Sequence, residues 1–515
     1  MLPVGRLEAV RTGPDAMESS GSSGGRPRLP LPGLLHTGIP RRVLLQGVLG
    51  TVLLAISGPG AGAVPRYRDA VATFLHVAWI HPHQTLHVLS IFIALAGIVL
   101  LASAWWQLRA MLPTLLPRSI VIVAAVWALP LLLTTPLFSR DVYAYAGQGH
   151  VVASGIDPYT YGPNALSDKW RDNVDGIWLD TPSPYGPVWL WIAGRVVALS
   201  GDHVVPAIFM LRLLAVLGLV LIAWTLPKLA RDHGVPAQRA LWLGVANPFV
   251  LIHTVGGGHN DSLMVGLLVC GLAVAGRDPT PRRLLAAAAL ITLAALIKVP
   301  AIAALGFLPM AVPAWRARLR AAALVALATV VTAVLATSLT KLGWGWLHTL
   351  DGGTKRLSIF SPLTGIGVLT GHALEWVGLV QTPDVVTRWV IISGLAVAGA
   401  VAIVLLLRSS RIGPLRALGL TFVAVVALAP IVQPWYLLWG LVLLAAVGGE
   451  RVTLALGALS VALCLSVLPD GRSLIRPPLY GAPLLAAAGL AAVEVRRSAR
   501  MVLDPERLPE PTPSR

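Results

Sequence analysis

The sequence predicts an all-α polytopic membrane protein, a bundle of about 12–15 membrane segments. Three observations predict it. The 515-residue chain is 56% hydrophobic and 12% charged, with a mean hydropathy of +0.75, which marks a chain dissolved in lipid rather than several soluble domains. Its apolar runs, from Arg42 to Val495, are Leu/Ala/Val-rich and roughly 15–22 residues long, which suits helices and not barrel strands of about 10 alternating residues. The Lys and Arg behind its net charge of +17 sit in short clusters between these runs, the positive-inside pattern. That placement argues for a membrane-lipid partner and against nucleic acid.

Residues 1–40 are rich in Gly, Ser, Pro and Arg and read as a disordered cytoplasmic tail. Arg41-Arg42 followed by an apolar run and Ala61-Gly62-Ala63 imitates a secretory signal. The long polar lead and the many later spans favour an uncleaved first helix instead. With the N-terminus inside, a span at about 42–57 goes out, and one at about 86–107 returns to Arg109 and Arg118. A third at about 119–137 goes out again and delivers Asp141 to the external face. Further inside clusters follow at Lys228/Arg231/Arg239, Arg277/Arg282/Arg283, Arg316/Arg318/Arg320, Arg408/Arg411, Glu450/Arg451 and Arg496/Arg497/Arg500. The midpoints between them, 256–261, 298–300, 341–362, 433–436 and 469–480, therefore share the face of Asp141.

Two stretches strain this parity. Residues 186–226 hold two apolar runs where one crossing is wanted, so 186–200 is expected to be shallow or re-entrant. Residues 284–297 and 301–314 are short, and are expected to be half-helices meeting at Lys298-Val299-Pro300. The chain thus divides into a tail (1–40), a membrane module (41–341) whose first large external loop is 138–187, a C-terminal transmembrane bundle with external loops (342–495) and a second cytoplasmic tail (496–515). Cys270 and Cys464 lie in apolar helices and predict neither a disulfide nor a thiolate metal site.

Candidate chemistry gathers in the external segments. Asp141, in Ser139-Arg140-Asp141-Val142-Tyr143-Ala144-Tyr145, is an ionised base at neutral pH. The plainer reading is an interfacial charge paired with Arg140, with Tyr143 and Tyr145 as aromatic-belt anchors. The loop beyond holds Gly155-Ile156-Asp157-Pro158-Tyr159 and Ser183-Pro184-Tyr185-Gly186-Pro187, turn-forming sequences. Between them, mixed acids, bases and tryptophans suit amphipathic helices on the bilayer. Aromatics beside carboxylates also suit sugars, whose CH faces stack on rings while their hydroxyls bond acids. Gly256-Gly257-Gly258-His259-Asn260-Asp261-Ser262 combines close backbone approach with four polar side chains, of which Asp261 and Ser262 would serve equally as helix caps. His259 and Asp261 are two ligands at most, so no metal site is assigned. Lys298 is an intramembrane cation, functional by default, or else snorkelling to the surface. It would suit a lipid-linked phosphate, as would Lys355 and Arg356. Trp435 and Tyr436 form an aromatic pair at a helix break. No Walker loop, dinucleotide fingerprint, zincin motif or nucleophile elbow is present.

On Ser139-Arg140-Asp141-Val142-Tyr143-Ala144-Tyr145, Gly155-Ile156-Asp157-Pro158-Tyr159, Pro184-Tyr185-Gly186-Pro187 and Gly258-His259-Asn260-Asp261, the chain resembles the actinobacterial polyprenol-phosphate-mannose-dependent α(1→6)-mannosyltransferases. These are GT-C membrane glycosyltransferases of lipomannan and lipoarabinomannan synthesis. The resemblance runs from about residue 40 to 495, and the motifs between 136 and 262 are its specific part. It implies a GT-C bundle in the plasma membrane, a polyprenyl-phosphate mannose donor, a mannan or lipid-linked mannoside acceptor and an extracytoplasmic active site. Asp141 matches the family's essential acid. Where many GT-C enzymes carry D-x-D or E-x-D, this chain has Asp141-Val142-Tyr143. A divalent metal is thereby left open but unsupported, and no other cofactor is implied.

The expected reaction is inverting transfer, with Asp141 as general base. Lys298, Arg140, Lys355 and Arg356 would receive the phosphate. Tyr143, Asp157, Tyr159, Tyr185, His259, Asn260, Asp261, Trp435 and Tyr436 would hold the sugars. The rival from another class is a transporter or flippase of a lipid-linked sugar, which also uses intramembrane charges and half-helices. Polar residues on one face rather than at the midplane speak against it.

Overall fold

A computed structural model describes residues 38–63, 70–349 and 361–471. Most of the tails expected at 1–40 and 496–515, together with Lys355, Arg356 and the end of the 469–480 segment, lie outside the described residues. Among the described residues the fold is α-helical without a β-strand. The helices are α1 (Arg41–Ala61), α2 (Gln84–Met111), α3 (Pro117–Leu132), α4 (Asp141–Ala153), α5 (Pro187–Leu199), α6 (Val204–Asp232), α7 (Ala237–Gly244) and α8 (Asp261–Ala275). They continue as α9 (Pro281–Ala295), α10 (Trp315–Thr340), α11 (Pro362–Trp376), α12 (Pro383–Ile412), α13 (Pro414–Ala427), α14 (Leu437–Val447) and α15 (Glu450–Cys464).

Five described helices are long and apolar enough to cross a membrane: α1, the helix from Gln84 through Thr114, α6, α10 and α12. A sixth span is possible in composition if the bent pair Pro248–Gly256 and α8, which turn by 116° at their junction, counts as one. The remaining apolar helices, α3, α5, α13 and the stretches Val299–Ala311 and Pro434–Val447, are shorter. α10 and α12 are mostly exposed along their length, with 17% of their apolar windows buried, so their outer surface is the part suited to lipid.

The third apolar run does not continue as helix to residue 137. α3 stops at Leu132, two residues after the proline within it, Pro130, where proline removes a backbone donor. The carbonyls freed at this end are taken by Arg212, buried on α6. Its guanidinium donates to Leu132 O (3.1 Å), Thr134 O (2.6 Å) and Leu131 O, and also to Val255 O (3.0 Å). A polar guanidinium inside an apolar bundle thus satisfies backbone groups that would otherwise be orphaned. The expected break between two half-helices does occur: α9 ends at Ala295, and Lys298 adopts extended backbone (φ −150°, ψ 121°) before the turn Val299–Ile302.

The bundle has two chemically different ends. At one end Glu450 joins Arg109 (2.5 Å) and Arg239 (3.5 Å), Lys228 pairs with Asp232 (2.9 Å), and Arg277 donates to the Asp232 carbonyl (2.9 Å). These belong to the cationic clusters that the sequence assigns to a single side. The opposite end gathers the C-terminus of α3, the N-termini of α4, α8 and α14, and the chain break at Lys298. Ala63 N–H donates to Pro136 O (2.9 Å), Leu137 N–H to Gly256 O (3.1 Å) and Phe138 N–H to Pro469 O (2.7 Å), tying these segments together. Between the ends, Trp105 and Trp242 stack at 4.1 Å and each indole donates to the other's carbonyl at 2.8 Å.

Candidate active site

Asp141 opens α4, its backbone N–H held by the Ser139 hydroxyl (3.1 Å). Its carboxylate keeps 15% of its surface and lies 3.5 Å from Nδ1 of His259, whose ring is buried. His259 is stacked face to face on Trp435 at 3.8 Å. Its position follows from the backbone before it. Gly258 has φ +69°, and a Cβ there would come within 2.9 Å of the Arg212 side chain. Only glycine fits without strain. The same Arg212 that caps α3 therefore also shapes the loop carrying His259.

Asp261, the first residue of α8, caps nothing locally. Its oxygens accept from Lys298 Nζ (2.7 Å) and from the Trp439 indole N–H (2.7 Å). The Ser262 hydroxyl lies within donor reach of both Ala215 O on α6 (2.7 Å) and His259 O at the start of its own helix (3.1 Å). Lys298 lies over the rings of Tyr436 (4.6 Å), Trp439 (5.8 Å) and Tyr185 (5.9 Å), a cation–π arrangement that supports a charged amine away from bulk water. Tyr185 reaches this place because Gly186 packs directly on the end of α9, where a Cβ would meet Leu296 O at 2.1 Å. Burial, and then the charge of Asp141, push the Tyr185 phenol up, so it stays a neutral donor. Asn260 accepts from the Tyr145 hydroxyl (3.2 Å), and Tyr145 packs edge-on to Tyr185 and Trp189.

The structure thus brings together Asp141, His259, Asn260, Asp261, Lys298, Tyr185, Trp435 and Tyr436, residues spread over nearly 300 positions of sequence. Several buried polar atoms there have no hydrogen-bond partner: both ring nitrogens of His259, the Asn260 amide nitrogen and the Trp435 indole nitrogen. Buried groups are normally satisfied, so this concentration of orphans is unusual. Tyr143 and Tyr145 are buried in the bundle at 1% and 0% exposure, which removes the membrane-belt reading for both.

Other expected residues stand elsewhere. Arg140 is held in an ion pair with Asp175, which also caps the short helix Gly176–Leu179. Asp157 closes a turn, accepting from Tyr159 N–H (3.0 Å) and the Thr160 hydroxyl (2.6 Å), and Tyr159 packs where Gly345 approaches. The intervening loop contains two single-turn helices, Lys169–Asp172 and Gly176–Leu179, each begun by an aspartate cap. Among the described residues no group of three or more His, Cys, Asp or Glu stands as a metal-ligand set. Cys270 and Cys464 are free, buried thiols.

Sequence reasoning missed four contributors. Arg212 lies in a long apolar run and needed the intramembrane-charge rule that singled out Lys298. Trp439 follows Tyr436 by three residues and Tyr145 follows Asp141 by four, the spacings that bring side chains onto one helical face. His253, in a π-helical turn (Ile252–Gly256) between Phe249 (4.8 Å) and Trp435 (5.8 Å), gives no local signal.

Residues 44–314 match the family described as alpha-(1->6)-mannopyranosyltransferase, N-terminal domain, and residues 363–497 match the MptB C-terminal domain. The chain belongs to this family. It is therefore an enzyme, a membrane glycosyltransferase. It is 35% identical over 456 residues to a probable alpha-(1->6)-mannopyranosyltransferase of Mycolicibacterium smegmatis, covering 79% of each chain. It is 34% identical over 483 residues to an alpha-(1->6)-mannopyranosyltransferase of Mycobacterium tuberculosis, covering 82% of this chain and 81% of that one. Alpha-(1->6)-mannopyranosyltransferase B of Corynebacterium glutamicum is 33% identical over 472 residues, 84% of this chain and 77% of its own. No solved structure gives a significant match.

Proposed function

We propose that this protein transfers mannose, with inversion, from polyprenyl-phosphate mannose to the 6-hydroxyl of an α-mannan acceptor. The work would belong to lipomannan and lipoarabinomannan backbone synthesis, on the extracytoplasmic face of the plasma membrane. The observation that carries the reading is the Asp141 carboxylate, partly open, at a convergence of helix ends lined by aromatic rings and unsatisfied polar atoms. The cationic clusters at the other end support an external orientation for this one.

In the proposed step the acceptor O6 attacks C1 of mannose while the bond from C1 to the phosphate oxygen breaks. The electron pair leaves with polyprenyl phosphate, and Asp141 takes the O6 proton as general base. Positive charge grows on the ring in this transition state, and the nearby carboxylates of Asp141 and Asp261 favour it. Lys298, fixed by Asp261 and the three rings, is the cation for the departing phosphate. Arg140 is instead committed to Asp175, and Lys355 and Arg356 would be further cations by sequence alone. His259, Asn260 and the Trp435 indole bond sugar hydroxyls, while Tyr185 and Tyr436 offer ring faces; Asp157 and Tyr159, engaged in their own turn and against Gly345, are left out of this surface.

The deciding assay follows mannose from polyprenyl-phosphate mannose into a short α(1→6)-mannoside in membranes bearing Asp141→Asn. Asparagine keeps the shape and removes the base, so kcat should fall about 10²–10⁴-fold. Near-wild-type transfer would overturn the assignment. A transporter would catalyse no transfer in this assay at all.

A further inference from the structure

A cavity of about 570 Å³ lies between the C-terminal end of α4, the turn at 155–158, α5 and the C-terminal end of α10, and Asp141 is not in its lining. Its polar lining includes Asp157, Arg195 and Lys341, with Trp191 and Gly343 beside them. The Arg195 guanidinium lies over the Trp191 ring at 5.7 Å, a cation–π contact at an exposed site. Among the described residues, neither Arg195 nor Lys341 has a carboxylate within ion-pair distance. Asp157 in the same wall already satisfies its own turn.

The backbone adds an independent sign. Lys341 is the residue that ends α10, and it sits in the left-handed region at φ +59°. That position favours glycine or asparagine, and a lysine there is strained. Both cations are exposed, and Lys341 stands at the very end of a helix whose flanks face lipid. A cation at that level, beside an aromatic ring and above an apolar helix, matches a phosphate carried at a membrane surface.

We propose that this cavity binds the phosphate of an anionic membrane lipid through Arg195 and Lys341. The phosphate is not the one that leaves the donor. That group departs from the carbon under attack, within about one sugar ring of Asp141, whereas α4 spans about 18 Å from Asp141 to the cavity wall. The same chemistry is offered by bulk anionic lipid and by a lipid that anchors the acceptor glycan.

Native mass spectrometry of the full-length protein, released from phosphatidylcholine nanodiscs doped with phosphatidylglycerol, counts the retained anionic lipid. Arg195→Gln and Lys341→Gly should each weaken retention about five- to tenfold. Lys341→Gly also relieves the left-handed backbone, so loss of binding there is not loss of fold. Equal retention of phosphatidylglycerol by wild type and both variants overturns the site, as does equal retention of the two lipids by wild type. Transfer assays then separate the sources. If the bound lipid anchors the acceptor, both variants raise KM for a lipid-anchored mannoside and not for a water-soluble one; if it is bulk lipid, neither KM moves while retention still falls. The retention measurement needs no catalysis, so it stands whether or not the transfer reaction is as proposed.

Discussion

Lys298 and Asp261 form the interaction whose removal is most informative. The amine and carboxylate are 2.7 Å apart, with side chains 12% and 0% exposed. An exposed pair would be worth about 0–1 kcal/mol, but this one is shielded, and removing one member strands a charge. Lys298→Met leaves the Asp261 carboxylate with the Trp439 indole as its remaining side-chain donor, and should cost about 3–5 kcal/mol. Asp261→Asn should cost less, because Lys298 still reaches the Tyr436 and Trp439 rings. The double variant strands neither charge, so its loss should fall short of the sum by about 2–3 kcal/mol. Denaturant titration of the four proteins in nanodiscs reads these differences. Additive losses would refute the coupling. Mannose transfer by the same set separates structure from chemistry: the double variant should recover stability yet keep a raised KM for the lipid donor or a lowered kcat. If it recovers transfer as well, Lys298 is a structural partner and the phosphate role is wrong.

Arg212→Met should release the carbonyls of Leu131, Leu132, Thr134 and Val255 together. Losing charge-assisted bonds of this kind costs about 1.5–3 kcal/mol for one bond and more for the set; hydrogen exchange should speed first at residues 133–138 and 255–260, and uniform exchange across the bundle would contradict the role. At the α5–α6 turn, hydrogen bonds from Lys169 and the Trp170 indole hold the Asp202 carboxyl below its usual range. A depressed carboxyl contributes stability above its unfolded value of about 4 and loses it as pH falls further. Asp202→Asn should therefore lower the thermal midpoint slightly at neutral pH and leave it unchanged at the acid end; an equal shift at both pH values would contradict this.

The helical membrane architecture was legible because it follows from composition and from the length of apolar runs, which every segment carries by itself. Residues that the structure draws together were also legible where a local anomaly exists. Asp141 ends an apolar run, Lys298 interrupts one, and Gly258-His259-Asn260-Asp261 crowds polar groups onto a helix start. Arg212 is the same kind of anomaly in α6, and nothing near it in sequence names the carbonyls that it serves. Asp157 and Tyr159 show the opposite limit: their turn chemistry is local, so their motif looks like the others, while their contacts lie apart from Asp141. The run 119–137 reads as one span because hydropathy does not register the helix end at Leu132, which exists through a partner some 80 residues away.

By itself the sequence determined that this chain lives in lipid as helices, that its cations cluster apart from its other polar segments, and which acids and aromatics stand out against an apolar background. Those are properties of single segments and their solvent. Only the tertiary structure decided that Asp261 pairs with Lys298, that His259 lies between Trp435 and Asp141, and that Arg212 joins two loops into one wall. Each depends on distances between helices that approach closely only where glycines such as Gly186 and Gly258 permit it. That is information about packing, which no single segment contains.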